Sequence, residues 1–350
     1  MTSLRAAIVG AGRMGGTIDD EVLDYPAMIR PYSHAAAYTT IPEVELVAFA
    51  DLEEAKARGL QERYGVPHAY ADYREMIERE RPDLVSITVP CTAHAEVAIF
   101  AAEHGVRGIY CEKGMACSLA EADAMVEAVR RNHVKFNMGT LRRWHPGVDK
   151  ARELIEAGRI GEVRTVVSYS LGSLLHSGSH YLDLLLVLAG DPGVEWVQGM
   201  VLNPDFDPEA RTSQVDLSGM ATIRFDNGVF GHALATPLVA EVEVMGTEGT
   251  IRAHNNCLQW YLRKLEPIEG SGRRMAQNPR QFPPFERVSP TVSCIRDLMQ
   301  AIETDGETRG GVELARLNAE IAFAVIESHR RGGARVSLPL EDREFWMASR

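Results

Sequence analysis

The sequence predicts an α/β protein of two domains, in which a doubly wound parallel sheet comes first and an α+β domain with a large, mostly antiparallel sheet follows. In the first 140 residues, short apolar runs alternate with helical segments, as in a parallel sheet covered by helices on both faces. Later apolar runs follow one another around the hairpin turn Asp226-Asn227-Gly228. The length of 350 residues suits two domains, which we expect at 1–141 and 142–350.

Composition and charge narrow the class of partner. The net charge of −12 argues against nucleic acid or an anionic membrane surface, because both attract clustered Lys and Arg. The five cysteines show no CxxC spacing, so we expect reduced thiols and a cytoplasmic protein. The N-terminus runs into a strand without a signal-peptide pattern, and no segment approaches the roughly 20 apolar residues of a membrane span. A small-molecule substrate is expected.

Nine segments form the expected framework of the first domain. The strands are Leu4–Val9, Val44–Ala50, Pro82–Pro90, Gly108–Cys111 and Val134–Met138. The helices are Leu52–Tyr64, Tyr73–Arg79, Ala93–His104 and Leu119–Arg131.

The first strand leads directly into a GxGxxG pattern that ends at Gly15 and opens a helical segment. Such glycines allow a tight turn and a close approach of backbone to pyrophosphate, which then lies at the N-terminus of the next helix. The pattern predicts a Rossmann domain that binds a dinucleotide. The predicted contacts are Gly10, Ala11, Gly12, Arg13 and Met14.

The second strand ends on Asp51, which Leu52 follows. A carboxylate at this point accepts hydrogen bonds from the adenosine ribose and repels the extra phosphate of NADP, so we expect NAD. Asp51 lies 41 positions beyond Gly10, against about 20 in the usual fingerprint. The surplus, Ile18–Tyr32, is predicted to be an inserted loop or broken helix before the helical Ser33–Tyr38. This segment is either a solvent-exposed loop without a further role or a lid that covers the pyrophosphate or the substrate.

Six motifs together resemble those of the Gfo/Idh/MocA family of NAD(P)-dependent oxidoreductases, which includes inositol dehydrogenases and glucose-fructose oxidoreductase. They span nearly the whole chain in the family's order. They are the GxGxxG, Val89-Pro90-x-x-x-His94, Cys111-Glu112-Lys113, Arg143-Trp144-His145-Pro146, Gly178-Ser179-His180-x-x-Asp183 and the segment 244–251. The resemblance implies that Val89, Pro90, His94 and Glu112 also belong to the cofactor site.

The resemblance also implies that Lys113 and His180 act at the nicotinamide. Oxidising an alcohol requires a group that takes the hydroxyl proton, and an imidazole has a suitable pKa. His180 is then the base. A lysine cation stabilises the developing alkoxide, which assigns Lys113 that role. Without the resemblance, an ordinary solvated or paired side chain is the favoured interpretation of both residues.

Two positions depart from the family's pattern. The proline that follows the lysine is replaced by Gly114. The resemblance implies a cis bond there, which a Lys-Gly bond copies at a cost of about 2.5–4 kcal/mol; alternatively, Gly114 reaches the same lysine position through a trans peptide. Many relatives have an aspartate where this chain has His176, a third predicted catalytic residue. An imidazole there relays a proton but holds no fixed negative charge.

His176, His180 and Asp183 also match a metal set of two histidines and one carboxylate, provided that all three lie on one helix. The sequence Ser177-Gly178-Ser179 instead predicts the N-terminus of the helix, which leaves His176 outside it. We therefore expect no metal. Asp183 is expected to support the helix or a neighbouring hydroxyl.

Three further residues are substrate candidates beside Asp183. Arg142 and Arg143 follow the last strand of the first domain, where an arginine pair either binds an anionic substrate or holds the two domains structurally. Tyr169 lies in an alternating strand close to His176 and is a candidate for contact with a sugar.

The remaining chain supplies the second domain. Its expected strands are Glu162–Leu171, Glu195–Leu202, Leu217–Phe225, Val229–Thr236, Val239–Met245 and Leu258–Lys264, with Val336–Pro339 as an extended piece. Its expected helices are Lys150–Ala157, Thr291–Thr304 and Val312–Arg330, and Glu266–Pro290 is predicted to be a loop.

The leading hypothesis is an NAD-dependent dehydrogenase that acts on a secondary hydroxyl of a sugar, glycoside or cyclitol. One alternative is a redox-neutral glycoside hydrolase that oxidises its substrate transiently, eliminates the aglycone and returns the hydride. The other is a non-catalytic NAD(H)-binding regulator. The resemblance also implies a homodimer or homotetramer, formed through the outer face of the antiparallel sheet.

Overall fold

The computed structural model describes residues 3–170, 172–238, 240–276 and 280–349. The chain forms two compact units. The first contains residues 1–141, 288–319 and 343–350, and the second contains 142–287 and 320–342. The predicted domains, 1–141 and 142–350, assign residues 288–319 and 343–350 to the second domain. In the structure, both segments instead belong to the first unit.

The first unit is built on a six-stranded parallel sheet with strand order β3-β2-β1-β4-β5-β6. This order is the doubly wound arrangement that the alternating pattern predicts. The strands are β1 (Leu4–Val9), β2 (Val44–Ala50), β3 (His68–Tyr70), β4 (Leu84–Ile87), β5 (Gly108–Cys111) and β6 (Lys135–Met138). Only β3 is absent from the predicted set. The helices are α1 (Ile18–Glu21), α2 (His34–Tyr38), α3 (Glu54–Tyr64), α4 (Tyr73–Glu80), α5 (His94–Glu103) and α6 (Leu119–Arg131).

The register of this sheet brings the ends of five strands into one line. Val9 pairs with Ala50 on one side and with Ile87 on the other, and Ile87 pairs with Cys111, which pairs with Met138. Because the strands are parallel, the residues that follow them all emerge at the same edge of the sheet. The register therefore gathers the predicted cofactor residues there.

The segment between the glycine-rich loop and α2 is a broken helix, as the surplus length predicts. Only α1 is regular, and turns occupy most of the residues from Val22 to Ser33. The Asp19 carboxylate accepts hydrogen bonds from the backbone N–H groups of Tyr32 and Ser33, at 2.7 and 2.8 Å. The start of α1 is thereby fastened to the start of α2.

Helix α9 (Pro290–Thr304) belongs to the first unit because it packs on β5 and β6. The side chain of Asn137, in β6, donates to the Cys294 carbonyl and to the Asp297 carboxylate, at 3.2 and 2.9 Å. Sequence periodicity predicted the helix but carries no information about which sheet it covers.

The second unit contains a ten-stranded, mostly antiparallel sheet, which confirms the predicted fold class. Its order is β15-β14-β13-β12-β7-β11-β10-β8-β17, with β16 paired to β14, and the β7–β11 pair is parallel. The strands are β7 (Val163–Ser170), β8 (Val194–Val201), β10 (Gly219–Phe225), β11 (Phe230–Ala235), β12 (Glu241–Gly246), β13 (Gly249–His254), β14 (Gln259–Pro267), β15 (Arg274–Ala276), β16 (Arg280–Gln281) and β17 (Val336–Ser337). Thr212–Ser213 (β9) and Trp346–Met347 (β18) are short strands outside this sheet.

Helices α7 (Pro146–Glu156) and α8 (Gly178–Ala189) lie in the second unit, and α10 (Val312–Arg330) begins in the first unit and ends in the second. The predicted hairpin turn at Asn227 joins β10 and β11. The predicted loop at Glu266–Pro290 is wrong in part, because β15 and β16 pair with β14 there. Leu171 and Val239, at the ends of two predicted strands, lie outside the described residues, as do 277–279 of that loop. Among the helices described, none is long and apolar enough to cross a membrane.

Candidate functional site

The glycine-rich loop after β1 has open space at one glycine and tight packing at two others. Gly10 has a φ of +102°, and a Cβ there would lie 2.7 Å from the carbonyl carbon of Thr88. A Cβ at Gly15 would lie 2.3 Å from the Gly10 carbonyl oxygen, so both glycines are needed for the loop's own packing. A Cβ at Gly12 would meet no atom within 4 Å. Gly12 therefore leaves room outside the chain, which fits a dinucleotide pyrophosphate.

The segment after this loop differs from the regular helix that the motif predicts. Arg13–Thr17 form a π-helical turn with Gly12 as N-cap, and α1 adds only four residues. The guanidinium of Arg13 donates to the Glu21 carboxylate at 2.6–3.0 Å near the protein surface. The contacts of Arg13 and Met14 with the cofactor remain predictions. Arg13 already forms an ion pair with Glu21.

Asp51 fastens the glycine-rich loop to the end of β2. One of its carboxylate oxygens accepts the Ala11 backbone N–H at 2.8 Å, and the other accepts the Glu53 N–H at 2.9 Å. A carboxylate oxygen accepts more than one hydrogen bond, so Asp51 can still receive ribose hydroxyls. The side chain of Leu52 is 94% exposed beside it, an apolar surface suited to a base ring. These contacts fit the adenosine end of NAD.

His94 supports two loops from the protein interior. It is 1% exposed, and its ring nitrogens lie 2.8 Å from the Gly114 carbonyl oxygen and 3.0 Å from that of Val89. Burial lowers the pKa of His94, while the two carbonyl contacts act in the opposite direction. The contacts of His94 are with these loops, and its direct contact with the cofactor remains a prediction. Val89 and Pro90 themselves are partly or fully exposed in the loop after β4 and remain candidates.

Lys113 follows β5 at the same sheet edge, directly after the buried Glu112. The Lys113–Gly114 peptide bond is cis, so the structure has the first of the two geometries left open for this bond. The Lys113 backbone N–H donates to Glu112 Oε2 at 3.3 Å, and Glu112 Oε1 lies 3.2 Å from His34 Nε2. Glu112 is 5% exposed. These contacts are internal, and its predicted place among the cofactor contacts remains a prediction.

The predicted base, His180, lies in the first turn of α8 and is half-buried. Ser177 is the N-cap of this helix, as predicted, although its hydroxyl makes no capping hydrogen bond. His176 lies before the helix, in a turn, and is exposed. The two histidines therefore do not share a helix face, and the described residues contain no group of three or more metal-ligating side chains suited to a metal ion.

Two other predicted substrate residues form an ion pair in the interior of the second unit. Arg143, 1% exposed, donates to Asp183 at 2.6 and 3.1 Å and to Asp191 at 2.9 Å. Burial acts to lower the pKa of Arg143, but the two carboxylates raise it above its ordinary value. Asp183 is 2% exposed, so both residues are structural, and their assignment to the substrate is corrected. Arg143 thus connects Asp183, one turn after His180 in α8, to Asp191, just beyond the end of that helix.

Arg142 lies at the surface of the same region. Its guanidinium donates to Asn256 Oδ1 at 2.7 and 2.9 Å and lies 5.6 Å from the ring centre of Tyr181. Neighbouring His145 caps α7, because its Nδ1 accepts the Gly147 N–H at 3.0 Å. Burial and the charges of two arginines lower the pKa of His145 to about 4, so it is neutral at pH 7. Arg142 thus remains a substrate candidate.

Sequence reasoning missed Asp216, which holds the turn that precedes α8. Its two carboxylate oxygens accept the backbone N–H groups of Leu175 and His176, at 3.0 and 2.7 Å. Leu174 also donates its N–H to the Leu217 carbonyl, at 2.6 Å. Asp216 lies 40 positions beyond His176, and nothing in its own sequence surroundings distinguishes it from other surface acids.

Tyr169 lies on the wrong face of the sheet for its predicted role. Side chains alternate along a strand, and its neighbours Ser168 and Ser170 are on the buried face. Helix α8, almost wholly buried, packs on β7 and β11. Tyr169 is on the opposite face, where its hydroxyl lies 3.4 Å from Glu243 and its ring 5.0 Å from Arg252. We therefore remove Tyr169 from the candidate substrate residues.

The geometry of the first unit defines a dinucleotide-binding oxidoreductase domain, and comparison with known proteins gives its family. Residues 4–140 match the GFO/IDH/MocA oxidoreductase family with an NAD-binding Rossmann fold, and residues 168–252 match the GFO/IDH/MocA C-terminal domain. The chain belongs to this family, which confirms the resemblance found in the sequence motifs. It is an NAD-dependent oxidoreductase.

Individual relatives are distant but cover most of the chain. Myo-inositol 2-dehydrogenase of Thermotoga maritima is 27% identical over 273 residues, which is 72% of this chain and 75% of that protein. D-glucoside 3-dehydrogenase of Escherichia coli is 27% identical over 260 residues, 65% of this chain and 69% of that protein. The solved structure of a levoglucosan dehydrogenase with NADH and levoglucosan has a TM-score of 0.77 and 22% identity, and the match covers 97% of this chain and 100% of that one. That similarity concerns the fold.

Proposed function

We propose that this protein is an NAD-dependent dehydrogenase that oxidises a secondary hydroxyl of a sugar, glycoside or cyclitol. The observation that carries the proposal is the common edge of the parallel sheet, where Gly12 leaves open space, Asp51 presents a carboxylate and Lys113 follows the end of β5. The names of the relatives supply the substrate class, because those enzymes are dehydrogenases of inositol and a glucoside.

NAD is the proposed cofactor in preference to NADP. The Asp51 carboxylate is fixed by the Ala11 and Glu53 N–H groups at the point where the adenosine ribose is expected. Arg13 belongs to the glycine-rich loop and is a cation that could bind a ribose phosphate. Its guanidinium is instead paired with the carboxylate of Glu21. Both features disfavour an additional phosphate on the cofactor.

Each predicted catalytic residue has a defined part in the proposed reaction. When bound, NAD supplies the hydride acceptor. His180 takes the proton of the substrate hydroxyl, and the buried pair of Arg143 and Asp183 holds the helix turn that follows His180. Lys113 stabilises the negative charge that develops on the oxygen. His176, exposed before the helix, is proposed to pass the proton on toward solvent.

The substrate class is tested by incubating the protein with NAD and a panel containing myo-inositol, methyl glucosides and levoglucosan. NADH should accumulate with at least one of them, and NADPH should form more slowly when NADP replaces NAD. Cleavage of a glycoside that requires NAD without net NADH indicates the redox-neutral hydrolase instead. Tight NADH binding with no turnover of any polyol or keto-sugar indicates the regulator.

Compartment and assembly are proposed from the cysteines and from one face of the large sheet. The five cysteines are buried and form no disulfide, consistent with the reducing cytoplasm. Met200 and Met220, paired across β8 and β10, are 53% and 38% exposed on the open face of the large sheet. We propose a homodimer or homotetramer through this face, which light scattering of the purified protein would detect and Met200→Glu would disrupt.

A further inference from the structure

A row of four buried polar side chains lies next to the predicted catalytic lysine, and cofactor binding does not explain it. Tyr38 Oη lies 2.9 Å from Ser86 Oγ, which lies 2.9 Å from His34 Nδ1, and His34 Nε2 lies 3.2 Å from Glu112 Oε1. None of the four residues is more than 5% exposed. We call Tyr38, Ser86, His34 and Glu112 the Glu112 row.

The Glu112 row forms a continuous chain of hydrogen-bonding groups that ends at a carboxylate. An ionised carboxylate only accepts hydrogen bonds, so His34 donates to it through Nε2. The Ser86 hydroxyl lies between His34 Nδ1 and Tyr38 Oη and can connect them. Burial raises the pKa of Tyr38, so this phenol keeps its proton. The row thus connects the Tyr38 phenol to the charge of Glu112.

Glu112 is shaped to hold that charge beside Lys113. Its second oxygen accepts the Lys113 backbone N–H at 3.3 Å, and a Cβ at Gly139 would lie 2.8 Å from Oε1, so glycine makes room for the carboxylate. Burial acts to raise the pKa of the Glu112 carboxyl, but the His34 hydrogen bond and the charge of Lys113 hold it below its ordinary value. The other titratable groups that face it are His94, Tyr110, Cys111 and Cys294.

Among these groups, Lys113 provides the largest opposite charge acting on Glu112. Burial raises the pKa of Tyr110 and of both thiols, so they are uncharged. Burial lowers the pKa of His94, while its contacts with two carbonyl oxygens act in the opposite direction. Of the charges that lower the pKa of Glu112, that of Lys113 acts more strongly than those of His34 and His94.

From this arrangement we infer that Glu112 and His34 are positioning residues for Lys113: His34 keeps Glu112 ionised, and the Glu112 charge keeps the Lys113 amine protonated and directed. The inference deepens the proposed function and rests on it, because it takes Lys113 as the group that stabilises the oxygen. An uncharged amine would offer that oxygen a hydrogen bond without a full charge, so the Glu112 row extends the pH range over which Lys113 works.

The inserted segment gains a role from the same argument. His34 is the first residue of α2, and Ser33 caps that helix by accepting the Ala36 N–H at 3.3 Å. The Asp19 carboxylate holds the Tyr32 and Ser33 N–H groups, and the Thr291 hydroxyl donates to the Tyr32 carbonyl at 2.8 Å. The segment Ile18–Tyr32 thus ends in a fixed anchor that sets the position of His34.

The test is a titration of Lys113 in the full chain saturated with NAD, followed by NMR of ¹³Cε-labelled lysine. The chain has five lysines, and Lys113→Arg assigns the resonance. Removing an adjacent negative charge disfavours the ammonium form, so Glu112→Gln should lower the pKa of Lys113 by at least about one unit. Glu45→Gln, an exposed site in the same unit with the same change of net charge, should leave it unaltered.

His34 is tested in the same experiment. His34→Leu removes the hydrogen-bond donor, so Glu112 should become protonated at a higher pH than in the wild type. The chemical shift of Lys113 should report this protonation as an inflection that lies closer to neutral pH than in the wild type. His34→Gln keeps a hydrogen-bond donor and should behave more like the wild type. If Glu112→Gln does not fold, the comparison of His34→Leu with His34→Gln still tests the inference. A Lys113 pKa that is the same in Glu112→Gln as in the wild type would overturn the inference. This readout needs no turnover, so it stands apart from failure of the proposed dehydrogenase activity.

Discussion

The candidate sites of the two units are built by different means. In the first unit, Gly12, Asp51 and Lys113 follow strands that are in parallel register, so the backbone of the sheet places them at one edge. In the second unit, His180 lies at the start of a helix whose position depends on the buried pair of Arg143 and Asp183. One site follows from backbone topology, and the other depends on a long-range side-chain contact.

This difference predicts where each unit tolerates change. A substitution at the sheet edge of the first unit should alter ligand binding while the sheet persists, because strand pairing does not use those side chains. A substitution in the buried ion pair of the second unit should alter stability first and the site only as a consequence. Three experiments test this difference between the units, in order of decreasing expected effect.

Arg143→Ala should have the largest effect on stability. It leaves the buried Asp183 without the guanidinium that donates to it, and breaking such a pair from one side costs about 3–5 kcal/mol. The midpoint of thermal unfolding, followed by circular dichroism, should fall strongly. Arg152→Ala, which removes an exposed pair with Glu156 in the same unit, should change the free energy of unfolding by less than about 1 kcal/mol. Equal effects of the two substitutions would contradict the structural role of Arg143.

Gly10→Ala and Gly12→Ala should separate packing from binding in the first unit. At Gly10 the φ of +102° and the 2.7 Å approach to Thr88 strain any side chain, so both stability and NADH affinity should fall. At Gly12 the added methyl group meets no protein atom and occupies the proposed phosphate space. The melting temperature should therefore stay near the wild-type value while the Kd for NADH rises on the order of tenfold or more. If Gly12→Ala binds NADH with unchanged affinity, the pyrophosphate does not bind at this loop.

Asp51→Asn should have the smallest effect, mainly on cofactor choice. The single amide oxygen still accepts one of the two backbone N–H groups, that of Ala11 or that of Glu53, but the charge that repels a ribose phosphate is lost. The ratio of kcat/KM for NAD over NADP should fall about tenfold, which corresponds to roughly 1.4 kcal/mol. Glu53→Gln, an exposed neighbour, is the control and should leave the ratio nearly unchanged. A constant ratio in Asp51→Asn would place the ribose elsewhere.

The first unit was largely predictable because its signals are local. The GxGxxG pattern, the apolar runs and Asp51 are each read within a few residues, and parallel pairing then determines which strand ends meet. His94 and Glu112 belong to these motifs, but their side chains are buried and contact the protein interior. Motif membership predicted their location but did not distinguish support from ligand contact.

The second unit was predictable in its elements but not in its contacts. Period-two alternation predicted most strands, and Ser177 was correctly taken as the start of α8. The pairing of Arg143 with Asp183 spans 40 residues, and Asp216 reaches back 40 residues to His176, so no local pattern contains either contact. Tyr169 was misplaced because closeness in sequence to His176 does not determine which face of the sheet a side chain occupies.

The most direct test of the proposed dehydrogenase is hydride transfer from a labelled substrate. A polyol that is active in the panel, deuterated at the carbon to be oxidised, is incubated with NAD, and the nucleotide is analysed by mass spectrometry. We predict deuterated NADH in amount equal to the ketone formed, and a large loss of this transfer in His180→Ala with NADH binding retained. Product formation without deuterium in the nucleotide, or full transfer by His180→Ala, would contradict the account.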